Sequence, residues 1–286
     1  MMTSLLRSLF LLAVLLVPAI QALHAAEVDG LYEARVAVAS QSAGDRARAV
    51  GEGFRQVLVK VSGQRSVLAA PAVQADLGKG ESLLGSYRYE TAVPRVPGQA
   101  EMAAQGTLFI RLAFDPASVR AILNRAGAPV WGASRPPVYL WLVREGAQGG
   151  TLFALGTPQA DLLLEAASLR GLPAVIPPPG DTAGADTMTA GVPTFIREAA
   201  ARAGAKLVLA ASLSGAAGRV KGSGALSVDG IVEHLEASGA DDAAVIRELV
   251  ADAADRVIKM RDGLIVDDFT RESAEVPVVR AARKGT

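Results

Sequence analysis

Apolar and polar residues change their spacing several times along the first half of the chain. Residues 31–38 alternate apolar and polar side chains, which predicts a strand with one buried face. Residues 47–61 repeat apolar side chains every three or four positions, which predicts an amphipathic helix. Ser42 and Asp45 have the spacing of a capping box, and Gly63 is suited to the end of this helix.

The remainder of this half adds two strands and a second helix. Gly51 and Gly53 lie inside the first predicted helix, and we expect them to allow close packing on a sheet. Residues 87–93 and 107–114 have strand patterns, and an Asp-Pro pair after them predicts the start of another helix. The order of elements in this half is therefore β-α-β-β-α.

Strands and helices alternate in the second half, which predicts a layered α/β unit. Residues 138–143 have the pattern of a strongly apolar strand, and residues 206–211 predict a buried strand. Asp229 and Gly230 lie between two strand patterns and predict a tight hairpin. Asp241 then predicts the start of a final helix.

The predicted fold class is α/β (α+β): two small layered units with mixed and antiparallel sheets and, since the chain contains no cysteine, no disulfides. We expect five parts along the chain. They are a signal peptide at 1–26, an N-terminal β-α-β-β-α unit at 27–128, a proline-rich linker at 129–137, a C-terminal α/β unit with a hairpin and a final helix at 138–262, and a tail at 263–286.

The first 26 residues have the layout of a secretory signal peptide. Arg7 precedes an apolar run over residues 9–20, and small residues follow. The run is shorter than the roughly 20 residues that span a bilayer, which favours a cleaved signal over a membrane anchor. We therefore expect a periplasmic protein with no stable membrane anchor after signal cleavage.

Charge and residue usage exclude several classes of function. Lysine plus arginine equals aspartate plus glutamate, 29 each, so no cationic excess points to nucleic acid. The absence of cysteine removes thiol catalysis and thiolate metal sites. His234 is the single histidine after the signal, so a multi-histidine metal site is impossible. We expect no cofactor and no metal.

Three groups of residues are candidates for chemistry or contact. His234 would need an orienting carboxylate and a pocket to act as a base, and its place on a hairpin strand favours a structural role. Acidic pairs at 181/186, 241/242 and 267/268 are explained by solvation and helix capping. Aromatic and arginine side chains are common contact residues, and the candidates here are Trp131, Arg135, Tyr87 and Tyr89.

Several segments resemble a known family. They are residues 56–63 (QVLVKVSG), Tyr87-Arg88-Tyr89, Phe114-Asp115-Pro116, Pro129-Val130-Trp131-Gly132 and the strand at 205–213. Together they resemble the bacterial family catalogued as domain of unknown function 2066. The resemblance implies an exported protein of Gram-negative bacteria with no assigned activity, so it carries over no catalytic residue.

These observations favour a non-catalytic periplasmic module for binding or envelope assembly, with an envelope protein or peptidoglycan as its partner. We do not expect an enzyme. Two alternatives stay open, a carboxylate-dependent hydrolase that uses His234 and a carrier of a small apolar ligand between the two units. The first needs an acid beside the imidazole, and the second needs a deep apolar cavity between the units.

Overall fold

A computed structural model describes residues 26–92, 107–146, 149–180, 191–228, 230–257, 260–261 and 264–265 of the 286. The predicted signal peptide, except its last residue, and most of the predicted tail lie outside these ranges, as do the acidic pairs at 181/186 and 267/268. Within the ranges, no helix is both long and apolar enough to cross a membrane. The predicted mixed α+β class is confirmed.

The N-terminal part is a three-stranded antiparallel sheet with helices on one face. Its strands are β2 (Glu33–Ala37), β3 (Leu84–Ala92) and β4 (Thr107–Phe114), in the order β2-β4-β3. Its helices are α1 (Ala43–Ser62), the single turn α2 (Pro71–Gln74) and α3 (Pro116–Arg125). Short 3-10 segments, Arg65–Ala69 and Leu77–Leu83, connect α1 to β3 around α2.

Helix α1 begins and ends as its sequence predicts. The Ser42 hydroxyl accepts a hydrogen bond from the Asp45 amide at 3.1 Å. Gly63 has a φ of 76°, and its amide donates to the Val59 carbonyl at 2.7 Å. Both termini are therefore fixed by local chemistry.

A glycine lets α1 pack closely on the sheet. A Cβ atom at Gly53 would lie 2.5 Å from Cδ1 of Leu112 and 3.1 Å from Cβ of Ala34. A side chain there would push the helix off the strands. The same expectation for Gly51 is not met, because a Cβ there would meet only the Arg55 guanidinium at 3.6 Å.

The C-terminal part is built on a six-stranded mixed sheet. The strands are β6 (Val138–Arg144), β7 (Thr151–Leu152), β8 (Ala174–Val175), β9 (Leu207–Ser214), β10 (Val220–Val228) and β11 (Ile231–Gly239). Their order is β11-β10-β9-β6-β7, with β8 also paired to β6. Strand β6 is parallel to β8 and β9, and β9, β10 and β11 are antiparallel to one another. The predicted hairpin joins β10 to β11.

Helices cover both faces of this sheet. They are α4 (Pro158–Arg170), α5 (Thr194–Arg202) and α6 (Asp242–Val257). Leu140 and Leu209 belong to the core shared with α4 and α6. Tyr139 and Trp141, which alternate with Leu140 along β6, belong to the core shared with α5. The apolar runs predicted from the sequence are therefore strands buried on both faces.

The proline-rich segment 129–137 lies between the two sheets and contains β5 (Ser134–Arg135). Strand β5 pairs with β1 (Ala26–Glu27) at the start of the described chain. A short hairpin of β12 (Met260–Arg261) and β13 (Leu264–Ile265) follows α6. The segment 129–137 contacts both parts of the molecule through Arg135.

Candidate functional site

Arg135 lies where the N-terminal and C-terminal parts of the molecule meet. We call this region the junction, and it consists of residues 129–137 and the C-terminal ends of α1 and α4. The side chain of Arg135 is fully buried. All three guanidinium nitrogens donate hydrogen bonds to backbone carbonyls. The acceptors are the carbonyl oxygens of Lys60, Trp131, Gly132, Arg170 and Gly171, at 2.8–3.3 Å.

The acceptors explain why a cation is buried here. Lys60 lies in the last turn of α1, and Arg170 and Gly171 end α4. The last carbonyls of a helix have no partner within the helix and carry partial negative charge. The flat fork of one guanidinium therefore satisfies the ends of two helices at once. Gly171 makes room for it, because a Cβ there would lie 2.3 Å from Arg135 Nη1.

Two further cations are buried beside Arg135. The Lys60 ammonium donates to the Glu33 carbonyl at 2.8 Å, and burial followed by the charge of Arg135 lowers the pKa of Lys60 to about 8. Arg170 donates to the Gly63 carbonyl at 2.7 Å and pairs with Asp255 of α6. Burial also lowers the pKa of Arg135, to about 10, so its guanidinium is charged at neutral pH.

A half-exposed arginine adds ion pairs across the junction. Arg65, just after α1, pairs with the three carboxylates of one face of α6. They belong to Glu248, Asp252 and Asp255. The junction thus joins α1, α4 and α6.

The junction changes the interpretation of two predicted contact residues. The Trp131 ring lies 4.0 Å from the Arg135 guanidinium and packs against the core of the larger sheet. Arg135 is buried and bonded to carbonyls, so its side chain is not available to a partner. We correct that expectation: Arg135 is a structural residue, and Trp131 is its packing neighbour.

The second sheet face of the N-terminal part offers a different surface. Helices α1 and α3 share the core with Ala34, Ile110 and Leu112, which point to one face of the sheet. The strand residues between them point to the opposite face, which none of the described helices covers. This open face consists of Glu33, Arg35, Ala37, Ser86, Arg88, Glu90, Phe109, Arg111 and Ala113.

Three arginines lie side by side across the open face. Arg35 of β2 is opposite Arg111 of β4, and Arg111 is opposite Arg88 of β3. We call these three residues the arginine row. Like charges directly opposite one another destabilise a sheet, so the row acts against the stability of the fold. Violations of this kind are typical of functional sites.

The three arginines of the row differ in how many carboxylates lie beside them. Glu90 pairs with Arg35 at 2.5 Å and with Arg111 at 3.4 Å, and Glu33 lies 3.7 Å from Arg111. The hydrogen bond from Arg35, with the charge of Arg111, lowers the pKa of Glu90 below its ordinary value. Arg88 is exposed and makes no ion pair or hydrogen bond with any described residue.

Phe109 adds an aromatic group beside the row. Its ring lies under Arg35, whose guanidinium carbon is 3.4 Å from the ring centroid. Guanidinium groups on a flat surface can bind carboxylates through paired hydrogen bonds. The arrangement is suited to contact with an anionic group and contains no acid–base pair beside a pocket.

Tyr87 and Tyr89 lie on β3, the edge strand that carries Arg88. Their rings are 5.9 Å apart and nearly perpendicular, and 47% of Tyr87 is exposed. The Tyr89 hydroxyl is buried and has no hydrogen-bond partner among the residues that the structure describes. The structure therefore brings these two predicted contact residues together on β3, and it brings Trp131 and Arg135 together at the junction.

The other candidates lie apart from this surface. His234 is exposed on the edge strand β11, and its imidazole makes no hydrogen bond with the described residues. The Asp241 carboxylate accepts the Ala244 amide at 2.7 Å and caps α6, as predicted. In the described ranges, no group of three or more acidic or histidine side chains is placed to hold a metal ion.

Two open grooves on the surface of the described chain could receive a ligand. One of about 190 Å³ lies beside the start of α1, and its lining includes Asp45, Arg48 and Glu52. The other, of about 200 Å³, lies between β1 and α4, where the carrier hypothesis predicts a cavity. Both are smaller than the roughly 300–1,000 Å³ of typical ligand pockets. The open sheet face is therefore the strongest candidate site.

Sequence reasoning missed the arginine row. Each arginine lies at a polar position of a predicted strand, but the three are separated by more than 20 residues. Only the strand register places them in line. A signal was present, because Arg88 lies between the two predicted contact tyrosines.

The protein is a mixed α+β fold, and the open face lies in its N-terminal part. A family model described as a domain of unknown function (DUF8605) matches residues 25–132, which include the whole arginine row. This part of the chain is thus similar to a domain of unknown function, as predicted, but the match does not support the specific family 2066. No curated protein and no solved structure matches the chain.

Proposed function

We propose that this chain is a non-catalytic binding module of the bacterial cell envelope, which acts in the periplasm after export. Its contact surface is the open face of the N-terminal sheet, and its partner is an envelope protein with an acidic surface. The arginine row is the observation that carries this proposal, because it aligns three like charges across a sheet and leaves Arg88 without an ion pair to any described residue.

The junction supports a binding role for the open face. It joins α1, which packs on the N-terminal sheet, to α4 through buried hydrogen bonds, and Arg170 also pairs with Asp255 of α6. A rigid support lowers the entropy that is lost when a surface binds its partner. The signal at 1–26 supports the periplasmic location, and the motifs quoted for the family 2066 support an exported protein without assigned activity.

Site-specific photocrosslinking in cells tests the proposal. A photoreactive residue at Ala37, which is exposed on the open face, should give a discrete protein adduct. The matched control is the same residue at Leu155, which is 53% exposed on the C-terminal part. Equal adducts at both positions, or adducts to peptidoglycan alone, would contradict an acidic protein partner at this face.

A further inference from the structure

We propose that β3 pairs with β3 of a second copy of this chain. The two strands run antiparallel with the Tyr89 residues opposite each other on a two-fold axis, and the two three-stranded sheets become one six-stranded sheet. This proposal does not depend on the envelope partner proposed above.

The hydrogen-bonding pattern of the sheet shows which backbone groups of β3 are free. The Phe114 amide donates to the Tyr32 carbonyl, and the Val38 amide donates to Leu108, so the even-numbered residues of β4 bond to β2. Alternate residues of a strand turn their backbone groups to opposite sides. The odd-numbered residues of β4 therefore bond to β3.

The register of β3 follows from this pattern. Arg88 and Glu90 are opposite Arg111 and Phe109, so their backbone groups bond to β4. Tyr87, Tyr89 and Thr91 direct their amides and carbonyls away from the sheet. A second strand can bind there without displacing any bond of the first sheet.

On two other edge strands, a long cationic side chain donates a hydrogen bond to a backbone carbonyl. On β2, the Glu33 carbonyl accepts a hydrogen bond from Lys60 at 2.8 Å. On β11, the His234 carbonyl accepts one from Arg256 at 2.9 Å. Proteins protect exposed edges in such ways against unwanted pairing. The outward carbonyls of β3 receive no such bond from the described residues.

Charge selects both the partner and the register. With Tyr89 on the axis, Arg88 of one copy lies opposite Glu90 of the other, and the symmetric pair repeats this contact. These positions do not share backbone hydrogen bonds with the new partner strand, and in such pairs the Cα atoms are only about 4.5 Å apart. Arg88, which has no counter-ion within one described chain, then gains one.

Neighbouring symmetric registers are worse. An axis at Arg88 would place two arginines opposite each other, and an axis at Glu90 would do the same with two glutamates. All three registers would use the same outward backbone groups of β3, so charge is what separates them. The axis at Tyr89 joins opposite charges twice and uses only free backbone groups.

On the other face of the seam, by which we mean the contact between the two β3 strands, the side chains include aromatic rings. In the proposed register Tyr87 lies opposite Thr91 of the second copy, and the two Tyr89 rings are neighbours. Pairing would remove from water much of the ring surface of Tyr87, now 47% exposed. The interface is self-complementary, as a two-fold dimer requires.

A charge-swap experiment tests the dimer and its register together. We expect the full mature chain to sediment as a dimer. Arg88→Glu alone and Glu90→Arg alone should each weaken the dimer about tenfold or more, because each places like charges opposite one another. An equimolar mixture of the two variants should form a heterodimer, since every contact across the seam then joins opposite charges.

Arg219→Glu is the matched control, because Arg219 is exposed in the turn before β10, far along the chain from β3. This variant should remain as dimeric as the natural chain. A natural chain that is monomeric at the highest attainable concentration would overturn the proposal. So would single variants that dimerise normally, or a mixture of folded variants that stays monomeric.

A disulfide test covers the case in which Glu90→Arg does not fold. Arg88→Cys and Glu90→Cys chains, mixed and oxidised, should form an intermolecular disulfide, because a Cα separation of about 4.5 Å lies in the range for such bonds. Arg219→Cys mixed with Glu90→Cys is the control. An equal yield in both mixtures would overturn the register. A dimer that lacks the Ala37 adduct would contradict the envelope partner alone.

Discussion

The junction and the open face both contain several cationic side chains, but those of the junction are mostly buried and those of the open face are mostly exposed. Arg135 and Arg170 are buried, and each donates hydrogen bonds to carbonyls at helix ends. The arginine row lies on a face that no described helix covers, with two of its members exposed. Environment, and not residue type, therefore decides whether an arginine supports the fold or remains available for contact.

Among the substitutions predicted here, replacement of Arg135 should lower the free energy of unfolding the most. Arg135→Met would leave the carbonyls at the ends of α1 and α4 without donors, so we expect the free energy of unfolding to fall by about 3–5 kcal/mol. Urea unfolding followed by circular dichroism measures this. Arg135→Lys should also lose stability, because an ammonium cannot reproduce the fork. Near-natural stability of both variants would show that the junction does not depend on Arg135.

The pH dependence of Lys60 sharpens the contrast between buried and exposed cations. The pKa of Lys60 is about 8 in the folded chain, and its ordinary value of 10.5 applies to the unfolded chain. Between these values the unfolded chain binds more protons, so stability should rise with pH by up to about 3 kcal/mol. Below pH 8 both states are protonated, and this contribution is constant.

Lys60→Met supplies the control for this pH dependence. The difference in free energy of unfolding between the two proteins should change between pH 8 and 10.5, because the variant lacks the titrating group. Groups common to both proteins cancel in the difference. A pH-independent difference would mean that the burial of Lys60 does not disfavour its charged form.

Alanine substitutions at two glycines of α1 should change the free energy of unfolding by smaller amounts. Gly53→Ala should lose about 1–3 kcal/mol, because its Cβ would overlap Leu112. Gly51→Ala should instead gain up to about 1 kcal/mol, since alanine favours helix and its Cβ meets only a flexible side chain. Thermal unfolding of the pair measures both. Equal effects would contradict the close approach of α1 to the sheet.

Local sequence predicts the elements of this fold well but predicts its two cationic clusters poorly. Ser42 and Gly63 mark the ends of α1, and Asp229 with Gly230 marks the hairpin, because caps and turns depend on neighbouring residues. The burial of Arg135 depends on two helix ends that are distant in sequence. The arginine row depends on strand register. Neither signal is local, so the sequence predicts a partner contact for Arg135 and does not single out Arg35 and Arg111.

The smallest expected effect on stability is the most informative. The central claim is that the arginine row serves contact while the buried arginines hold the fold. Arg88→Thr removes one like-charge contact and no ion pair within the described chain, and threonine favours strands. We compare the proteins at a concentration low enough to keep the chain monomeric, because dimerisation would otherwise contribute to the apparent stability. The free energy of unfolding of this variant then measures how much the adjacent like charges of the row destabilise the fold.

The decisive measurement is the free energy of unfolding of Arg88→Thr beside that of Arg135→Met, under identical conditions in urea. We predict that Arg88→Thr equals the natural chain or exceeds it by up to about 1 kcal/mol, while Arg135→Met loses several. A loss for Arg88→Thr comparable with that for Arg135→Met would contradict the claim, because it would make the exposed row a structural feature like the junction.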